Sequence, residues 1–276
     1  MAFKHLTIKD DGHIVRCTIA NPPRHTFVSQ SISEMHSLLN DLETNDQIRV
    51  LVLTGASDEY FIRHYEVTEL VDVAEANIDS KKAPPTGPAE KLHGFNELCL
   101  RLENAPFMVV AALNGSAAGG GCEISLSCDF RLMKDGDFHY GLPETNVGIL
   151  PGGGGTQRYA RMLGTAKALD LIIHGTVLSP AEALDLGLIH RLYPATSFDQ
   201  DVDAFVENLA SRAPVALRSA KQSIRRGVDL PIDQALLHEQ QAFDQTMVTE
   251  DAAKSMRAYL TASVQLGDMD FDFKGE

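Results

Sequence analysis

The sequence of 276 residues lacks several features, and each absence excludes a class of protein. No apolar run approaches the roughly 18 residues that a membrane-spanning helix needs, which predicts no membrane partner. Lys and Arg total 24 against 38 Asp and Glu, and the net charge of −14 argues against the broad basic face that nucleic acid requires. An acidic chain can still hold a phosphorylated ligand through a local basic cluster, so a nucleotide-like ligand is not excluded.

Paired cysteines are also absent. The four cysteines form no Cys-x-x-Cys motif, and we interpret them as small core residues of a protein in a reducing compartment. The segment Met1–Ile8 is strand-like and is not a charged-then-apolar leader, so we expect a cytoplasmic protein. With 44% hydrophobic and 22% charged residues the chain can bury a sizeable core.

Strand and helix patterns alternate in the first part of the chain, which predicts an α/β fold with a largely parallel sheet. Strands are predicted at 14–19, 50–53, 108–113 and 130–133, and helices at 31–43 and 96–103. Ser31 and Glu34 form a capping-box pattern at the start of the first helix. Residues 71–94 contain many turn-forming residues and are predicted to be a mobile loop.

The last part of the chain is predicted to be helical. Helices are expected at 165–173, after the capping motif at Ser179, at 199–212, at 214–226 and at 232–264 with a break near Thr249, and a short strand is expected within 188–193. The change in pattern predicts a core domain over residues 1–197. Residues 198–276 are then a helical lid or oligomerisation region.

Two glutamates are the most informative feature of the sequence. Glu123 follows the glycines 119–121, and Glu144 follows Pro143. Glycine lets a backbone N–H approach a ligand closely, and two carboxylates in one pocket push their pKa values apart. The pattern predicts an acid/base pair able to add or remove water across a double bond. For Glu123 alone, a glycine-rich turn followed by a surface glutamate is an equal alternative.

Four ordered motifs carry a family resemblance. Residues 112–124, 128–129, 141–144 and 151–158 closely resemble the crotonase (enoyl-CoA hydratase/isomerase) superfamily, as does the segment 179–189. The resemblance implies a crotonase-like ββα spiral core with a helical C-terminal trimerisation region. It also implies a homotrimer or dimer of trimers and an acyl-CoA substrate. Coenzyme A is then part of the substrate, with no separate cofactor and no metal.

The resemblance also assigns candidate catalytic groups. Glu123 and Glu144 match the two acid/base glutamates of the hydratase branch. The thioester oxygen is expected to lie between the backbone N–H groups of Tyr65 and Gly120. Such a pair of donors, an oxyanion hole, stabilises the enolate that forms in the reaction. Residues 152–155 lack the Gly-Lys-Ser/Thr ending of a phosphate loop and are interpreted as a turn that packs the active-site wall.

Two segments depart from the family pattern. Arg63 and His64 stand where relatives have a small, glycine-containing loop, and a positive φ at His64 would impose a conformational penalty. Altered substrate preference, ordinary surface variation and lost catalysis are all compatible with this change. Arg24 stands near the expected nucleotide end of coenzyme A. It is interpreted either as a residue that binds a phosphate or as an exposed arginine without a role in binding. Arg24, Arg63, His64 and Thr68 are therefore the candidate substrate-binding residues.

Three classes of function are compatible with these observations. The first is a hydratase that adds water to a 2-enoyl-CoA. The second is another crotonase-type reaction on the same enolate, such as isomerisation, decarboxylation or hydration coupled to carbon–carbon cleavage. The third is a non-catalytic acyl-CoA-binding protein, which the altered loop at Arg63 and His64 would permit. The remaining histidines show no metal-ligand spacing.

Overall fold

The computed structural model describes residues 3–261 and 273–275. The strands are β1 (Leu6–Asp10), β2 (Ile14–Ile19), β3 (Val50–Gly55), β4 (Tyr60–Ile62), β5 (Met108–Leu113), β6 (Ser116–Ala118), β7 (Phe130–Lys134), β8 (Tyr140–Gly141), β9 (Val177–Leu178) and β10 (Arg191–Tyr193). A six-stranded sheet has the order β1-β2-β3-β5-β7-β10, and only its β1–β2 pair is antiparallel. A smaller sheet has the order β4-β6-β8-β9, in which only β8 and β9 are antiparallel.

Helices connect the strands and form most of the C-terminal part. They are α1 (Ser29–Glu43), α2 (Val67–Asp79), α3 (Gly94–Asn104), α4 (Gly120–Leu126), α5 (Gly155–Leu163), α6 (Thr165–Ile173), α7 (Pro180–Asp185), α8 (Phe198–Ala210), α9 (Pro214–Gly227), α10 (Ile232–Met247) and α11 (Glu250–Thr261), with a 3₁₀ helix at Glu144–Val147. The predicted break near Thr249 is confirmed. The end of the last predicted helix, 262–264, lies outside the described residues.

Both faces of the six-stranded sheet are covered, which explains the continuous apolar runs of its central strands. On one face Val50, Val52 and Val110 pack against α8. On the opposite face Leu51 and Leu53 belong to the main hydrophobic core. Helix α8 thus covers the sheet, although it lies in the region 198–276 that was predicted to be separate from the core domain. The division into 1–197 and 198–276 stays a prediction.

Three local predictions were incomplete or wrong. The capping box at Ser31 does not form, because α1 begins at Ser29 and Glu34 instead accepts hydrogen bonds from the N–H groups of Lys4 and His5. Residues 71–79 are helical rather than part of a loop, because α2 begins at Val67. The smaller sheet was not predicted, since its strands of two or three residues are too short to show periodicity. All four cysteines are buried, as expected.

Candidate active site

Three parallel strands of the smaller sheet bring the candidate residues together. The carboxyl ends of β4, β6 and β8 lie at the same edge, where ligands of parallel sheets commonly bind. Tyr65 follows β4, Gly120 follows β6 and Glu144 follows β8. Glu123 lies one turn into α4, which starts at Gly120. Segments far apart in the sequence therefore meet at one edge.

Two backbone N–H groups lie side by side at this edge. Phe27 and Tyr65 form an isolated parallel bridge, in which the Phe27 N–H donates to His64 O and the Glu66 N–H donates to Phe27 O. The Tyr65 N–H has no hydrogen-bond acceptor within the described residues. Gly120 is the first residue of α4, so its N–H has no acceptor within the helix. A Cβ added at Gly120 would lie 3.2 Å from the Tyr65 nitrogen, so the two donors are neighbours.

Side chains hold the backbone of Tyr65 in place. Its phenol donates a hydrogen bond of 2.6 Å to Glu69 Oε2 on α2, and its ring lies 5.8 Å from the ring of Phe95. Glu69 also accepts a hydrogen bond of 3.0 Å from the Ser29 N–H at the start of α1. Burial and the contact with Glu69 raise the pKa of Tyr65, so the phenol stays protonated. This loop is therefore fixed by side-chain tethers.

The backbone at His64 does not have a positive φ. Within residues 3–261 and 273–275, the non-glycine residues with positive φ are His25 and Lys81, so the condition for a conformational penalty at His64 is not met. His64 Nδ1 lies 2.6 Å from Tyr65 O. A Cβ added at Gly119 would lie 3.8 Å from the His64 Cβ and 2.9 Å from Glu144 Oε1, so His64 lies beside the candidate site. The neighbouring Arg63 is exposed, and its guanidinium lies 5.5 Å from the centre of the Tyr60 ring.

Glu123 is buried and firmly held. Glu123 is 2% exposed. Its Oε1 accepts hydrogen bonds of 2.7 Å from the Gly153 N–H and 2.8 Å from the Gly155 N–H. The pKa of Glu123 is raised above its ordinary value, because burial outweighs the opposing effects of these two N–H groups and the positive charge of Arg158. Both donors contact Oε1, and Oε2 has no hydrogen bond within the described part of the chain.

Glu144 has a different environment. Burial and then the negative charge of Glu123 raise the pKa of Glu144 to about 7. Its Oε2 is buried and has no hydrogen-bond partner among the residues described. Because donated hydrogen bonds stabilise the ionised form of Glu123, the pair takes up its first proton at Glu144. At neutral pH the site thus combines a carboxylate with a group that readily carries a proton.

Arg24 and Thr68 lie away from the two glutamates, at an open groove beside α2. The Arg24 guanidinium donates to Glu66 Oε1 at 2.9 Å and to Thr68 Oγ1 at 3.2 Å. Burial raises the pKa of Glu66, but hydrogen bonds from Thr26 and Thr68 and the Arg24 charge lower it to about 2. The groove has a volume of about 470 Å³ and its lining includes Arg24, Arg63, His64 and Thr68, so all four candidate binding residues border one space.

Sequence reasoning missed several residues of this site. Gly153 and Gly155 were expected only to pack the active-site wall, yet their N–H groups hold Glu123. The signal was the glycine run itself, because consecutive glycine N–H groups can surround an anionic oxygen. The tether from Tyr65 to Glu69 had no sequence signal beyond the four-residue spacing between them.

The described residues contain no cluster of three His, Cys, Asp or Glu side chains suited to a metal ion. No helix in that part of the chain is long and apolar enough to cross a membrane.

Comparison with known proteins identifies the family of this chain. Residues 9–264 match the family model described as enoyl-CoA hydratase/isomerase. The chain belongs to the enoyl-CoA hydratase/isomerase family. This membership confirms the predicted crotonase superfamily and the prediction of an enzyme.

Individual relatives cover nearly the whole chain. A short-chain-enoyl-CoA hydratase from Clostridium acetobutylicum is 31% identical over 261 residues, which is 94% of this chain and 96% of the relative. A crystal structure of an enoyl-CoA hydratase from Bacillus anthracis has a TM-score of 0.84 at 26% identity and covers 99% of this chain and 100% of that one. An enoyl-CoA hydratase from Polaromonas has a TM-score of 0.81 at 26% identity, covering 93% and 96% respectively. These similarities confirm the crotonase-like α/β fold.

Proposed function

We propose that this family member is a hydratase that adds water across the double bond of 2-enoyl-CoA thioesters. The observation that carries the proposal is the pair of glutamates in unlike environments beside two free backbone donors. Glu123 is held by two N–H groups, whereas Glu144 has a pKa of about 7 and a buried oxygen without a partner in the described structure. Hydration needs both a proton acceptor and a proton donor, and this pair supplies both.

The reaction can be written with these residues. The Glu123 carboxylate accepts a proton from water while the water oxygen forms a bond to the β-carbon. The double-bond electrons move toward the thioester, whose oxygen takes up negative charge between the N–H groups of Tyr65 and Gly120. Glu144 then donates its proton to the α-carbon and restores the thioester carbonyl. A proton transfer from Glu123 to Glu144 resets the site, and no separate cofactor is needed.

The rest of the substrate is assigned to the groove beside α2. The positive charges of Arg24 and Arg63 suit the phosphates of coenzyme A, although Arg24 already pairs with Glu66. Thr68 lies on the same side, and the exposed Val67 and Val71 of α2 supply apolar contacts. The coenzyme is therefore proposed to pass along this groove and to deliver its thioester to Tyr65 and Gly120.

The C-terminal helices support the proposed homotrimer or dimer of trimers. Helix α10 has no buried residue in the isolated chain. Large apolar side chains exposed on α10 and α11 include Ile232, Leu236, Leu237, Phe243, Met256, Tyr259 and Leu260. Exposed apolar surface of this extent is typical of a protein–protein interface. The molar mass in solution tests this assembly.

A panel of enoyl-CoA thioesters tests the hydratase assignment. With crotonyl-CoA and longer 2-enoyl-CoAs, we expect loss of the conjugated double bond and formation of a 3-hydroxyacyl-CoA that incorporates oxygen from labelled water. A product that has moved its double bond without gaining oxygen would instead indicate an isomerase. Binding of every thioester without turnover would favour an acyl-CoA-binding protein.

The same panel tests the role of the unusual loop. His64 lies beside Gly119 and Glu144, so His64→Ala should widen the acyl pocket and raise kcat/KM for straight-chain enoyl-CoAs relative to the preferred substrate. Alanine suits this position because φ at residue 64 is not positive. Arg63→Ala is the comparison, because loss of a contact with coenzyme A, which all these thioesters share, should change kcat/KM for all of them alike. The specificity role is wrong if His64→Ala leaves the substrate profile unchanged.

A further inference from the structure

The turn at residues 152–155 is itself held by side chains that the proposed reaction does not use. We propose that Asn96 and Arg158 are positioning residues, which orient the N–H groups of this turn and thereby fix the Glu123 carboxylate for catalysis. The inference rests on the proposed function, because it gives Glu123 the part of a base.

Asn96 acts on the peptide unit that carries one of the two donors. Its Nδ2 donates a hydrogen bond of 2.7 Å to Gly152 O. The same planar peptide unit carries the Gly153 N–H, which donates to Glu123 Oε1 at 2.7 Å. Because the peptide is rigid, fixing its oxygen also fixes the direction of its N–H. Asn96 on α3 therefore orients a donor to Glu123 without contacting Glu123.

Arg158 holds the next peptide unit. Its Nη1 donates a hydrogen bond of 2.7 Å to Gly153 O. Gly154 has a φ of 96°, which favours glycine, and a Cβ there would overlap the Arg158 guanidinium and displace it. The Gly155 N–H beyond it is the second donor to Glu123 Oε1, at 2.8 Å. The two side chains thus hold two consecutive peptide units: Asn96 holds the unit that carries the first donor, and Arg158 holds the unit between the two donors.

An ion-pair network anchors Arg158 in turn. Its Nε and Nη2 each lie 2.9 Å from a different oxygen of Glu103, a bidentate pair that fixes the guanidinium plane. The guanidinium of Arg225 on α9 lies 3.3 Å from a Glu103 carboxylate oxygen and 2.9 Å from an Asp129 carboxylate oxygen, and so links these two residues. Lys221 contacts Asp129 at 2.7 Å, and their side chains are 4% and 9% exposed. The glycine turn is therefore connected to the C-terminal helices by partly or fully buried charged side chains.

This arrangement has an electrostatic consequence as well as a geometric one. The titratable groups facing Glu123 are Glu144 on the 3₁₀ helix, Arg158 on α5, Cys99 on α3 and Cys122 on α4. Burial raises the pKa of both thiols to about 12, so they are neutral. Within the described residues Arg158 is then the one cation in this group, and it favours the ionised form of Glu123. Asn96 contributes orientation without charge.

The test compares kinetics and pH profiles of four variants. Arg158→Met should lower kcat by about 10- to 100-fold with KM within about twofold, because the base is misplaced rather than the substrate lost. The acid limb of its pH profile, where activity falls as the Glu123 carboxylate takes up a proton, should move to higher pH. The reason is that loss of the cation raises the pKa of Glu123. Arg158→Lys should return the acid limb to its wild-type pH but should restore only part of kcat. Asn96→Ala should lower kcat and move the acid limb to higher pH by less than Arg158→Met does, because the Gly153 N–H that Asn96 orients also lowers the pKa of Glu123. The control Arg161→Met on α5 should change neither kcat nor the acid limb.

Several outcomes would overturn the proposal. A folded Arg158→Met with unchanged kcat and acid limb would contradict a positioning role for Arg158, and unchanged kcat in Asn96→Ala would contradict that of Asn96. If Arg158→Met does not fold, the lysine and Asn96 variants decide the question. Carbon-13 NMR titration of Glu123 measures the pKa change without activity. Failure of the wild type to hydrate any enoyl-CoA would contradict only the proposed function, while an unshifted NMR titration in Arg158→Met would contradict only the positioning role.

Discussion

Glu123→Gln and Glu144→Gln are each expected to lower kcat by about 10²-fold or more, the low end for loss of a general acid or base. Glutamine keeps the shape of the side chain, and its oxygen can still accept the N–H groups of Gly153 and Gly155, so the fold should be retained. Affinity for acyl-CoA should change little, because neither carboxylate is assigned to coenzyme binding. Steady-state kinetics on 2-enoyl-CoAs and equilibrium binding measure the two effects separately.

Glu97→Gln is the matched control, since Glu97 is exposed on α3. The pH profile gives a second readout. With the pKa of Glu144 at about 7, the wild-type kcat/KM should fall above pH 7 as the proton donor is lost. This alkaline limb should disappear from the residual activity of Glu144→Gln. Near-full turnover in either variant would remove that residue from the mechanism.

Gly120→Pro is expected to lower kcat by about 10²-fold or more by removing one of the two N–H groups assigned to the thioester oxygen. Loss of one oxyanion donor costs on the order of 3 kcal/mol of transition-state stabilisation, or about 10²- to 10³-fold in kcat. Proline is well tolerated at the first position of a helix, which is the position of Gly120 in α4. Kinetics and thermal melting should therefore show a folded protein with severely reduced turnover.

Gly120→Ala separates loss of the donor from crowding. Any Cβ at this position would lie 3.1 Å from the Tyr65 Cβ and 3.4 Å from Phe95 Cζ, so alanine introduces the same close contacts but keeps the N–H. We expect alanine to reduce activity much less than proline. Equal loss in both variants would mean that space, rather than the N–H, matters at Gly120. Normal activity in a folded proline variant would contradict the assignment directly.

The sequence was sufficient where the chemistry is local. The continuous apolar runs of β3 and β5 predicted buried strands, because a strand covered on both faces has no polar alternation. Ser179 and Glu182 predicted a capping box, and both of its hydrogen bonds form. The motifs around Glu123 and Glu144 identified the family, which the match over residues 9–264 confirms.

Local signals failed where a distant partner decided the outcome. Glu34 matches a capping box in the sequence. In the fold its carboxylate instead accepts hydrogen bonds from the N–H groups of Lys4 and His5. At His64, where the family has glycine, the sequence left open whether φ is positive. In the fold φ is not positive there, and the neighbouring Tyr65 pairs with Phe27 in a parallel bridge. In both places the deciding contact comes from a segment more than 25 residues away.

By itself, the sequence determined the alternation of strands and helices, the family and the two glutamates, because periodicity and short motifs are carried by neighbouring residues. Only the tertiary structure decided how the glutamates differ. Two glycine N–H groups from beyond residue 150 stabilise charge on Glu123, while Glu144 is left with an oxygen that lacks a partner in the described chain. A pKa depends on burial and on charges close in space, and those neighbours come from α3, α5 and the 3₁₀ helix, which only folding brings together.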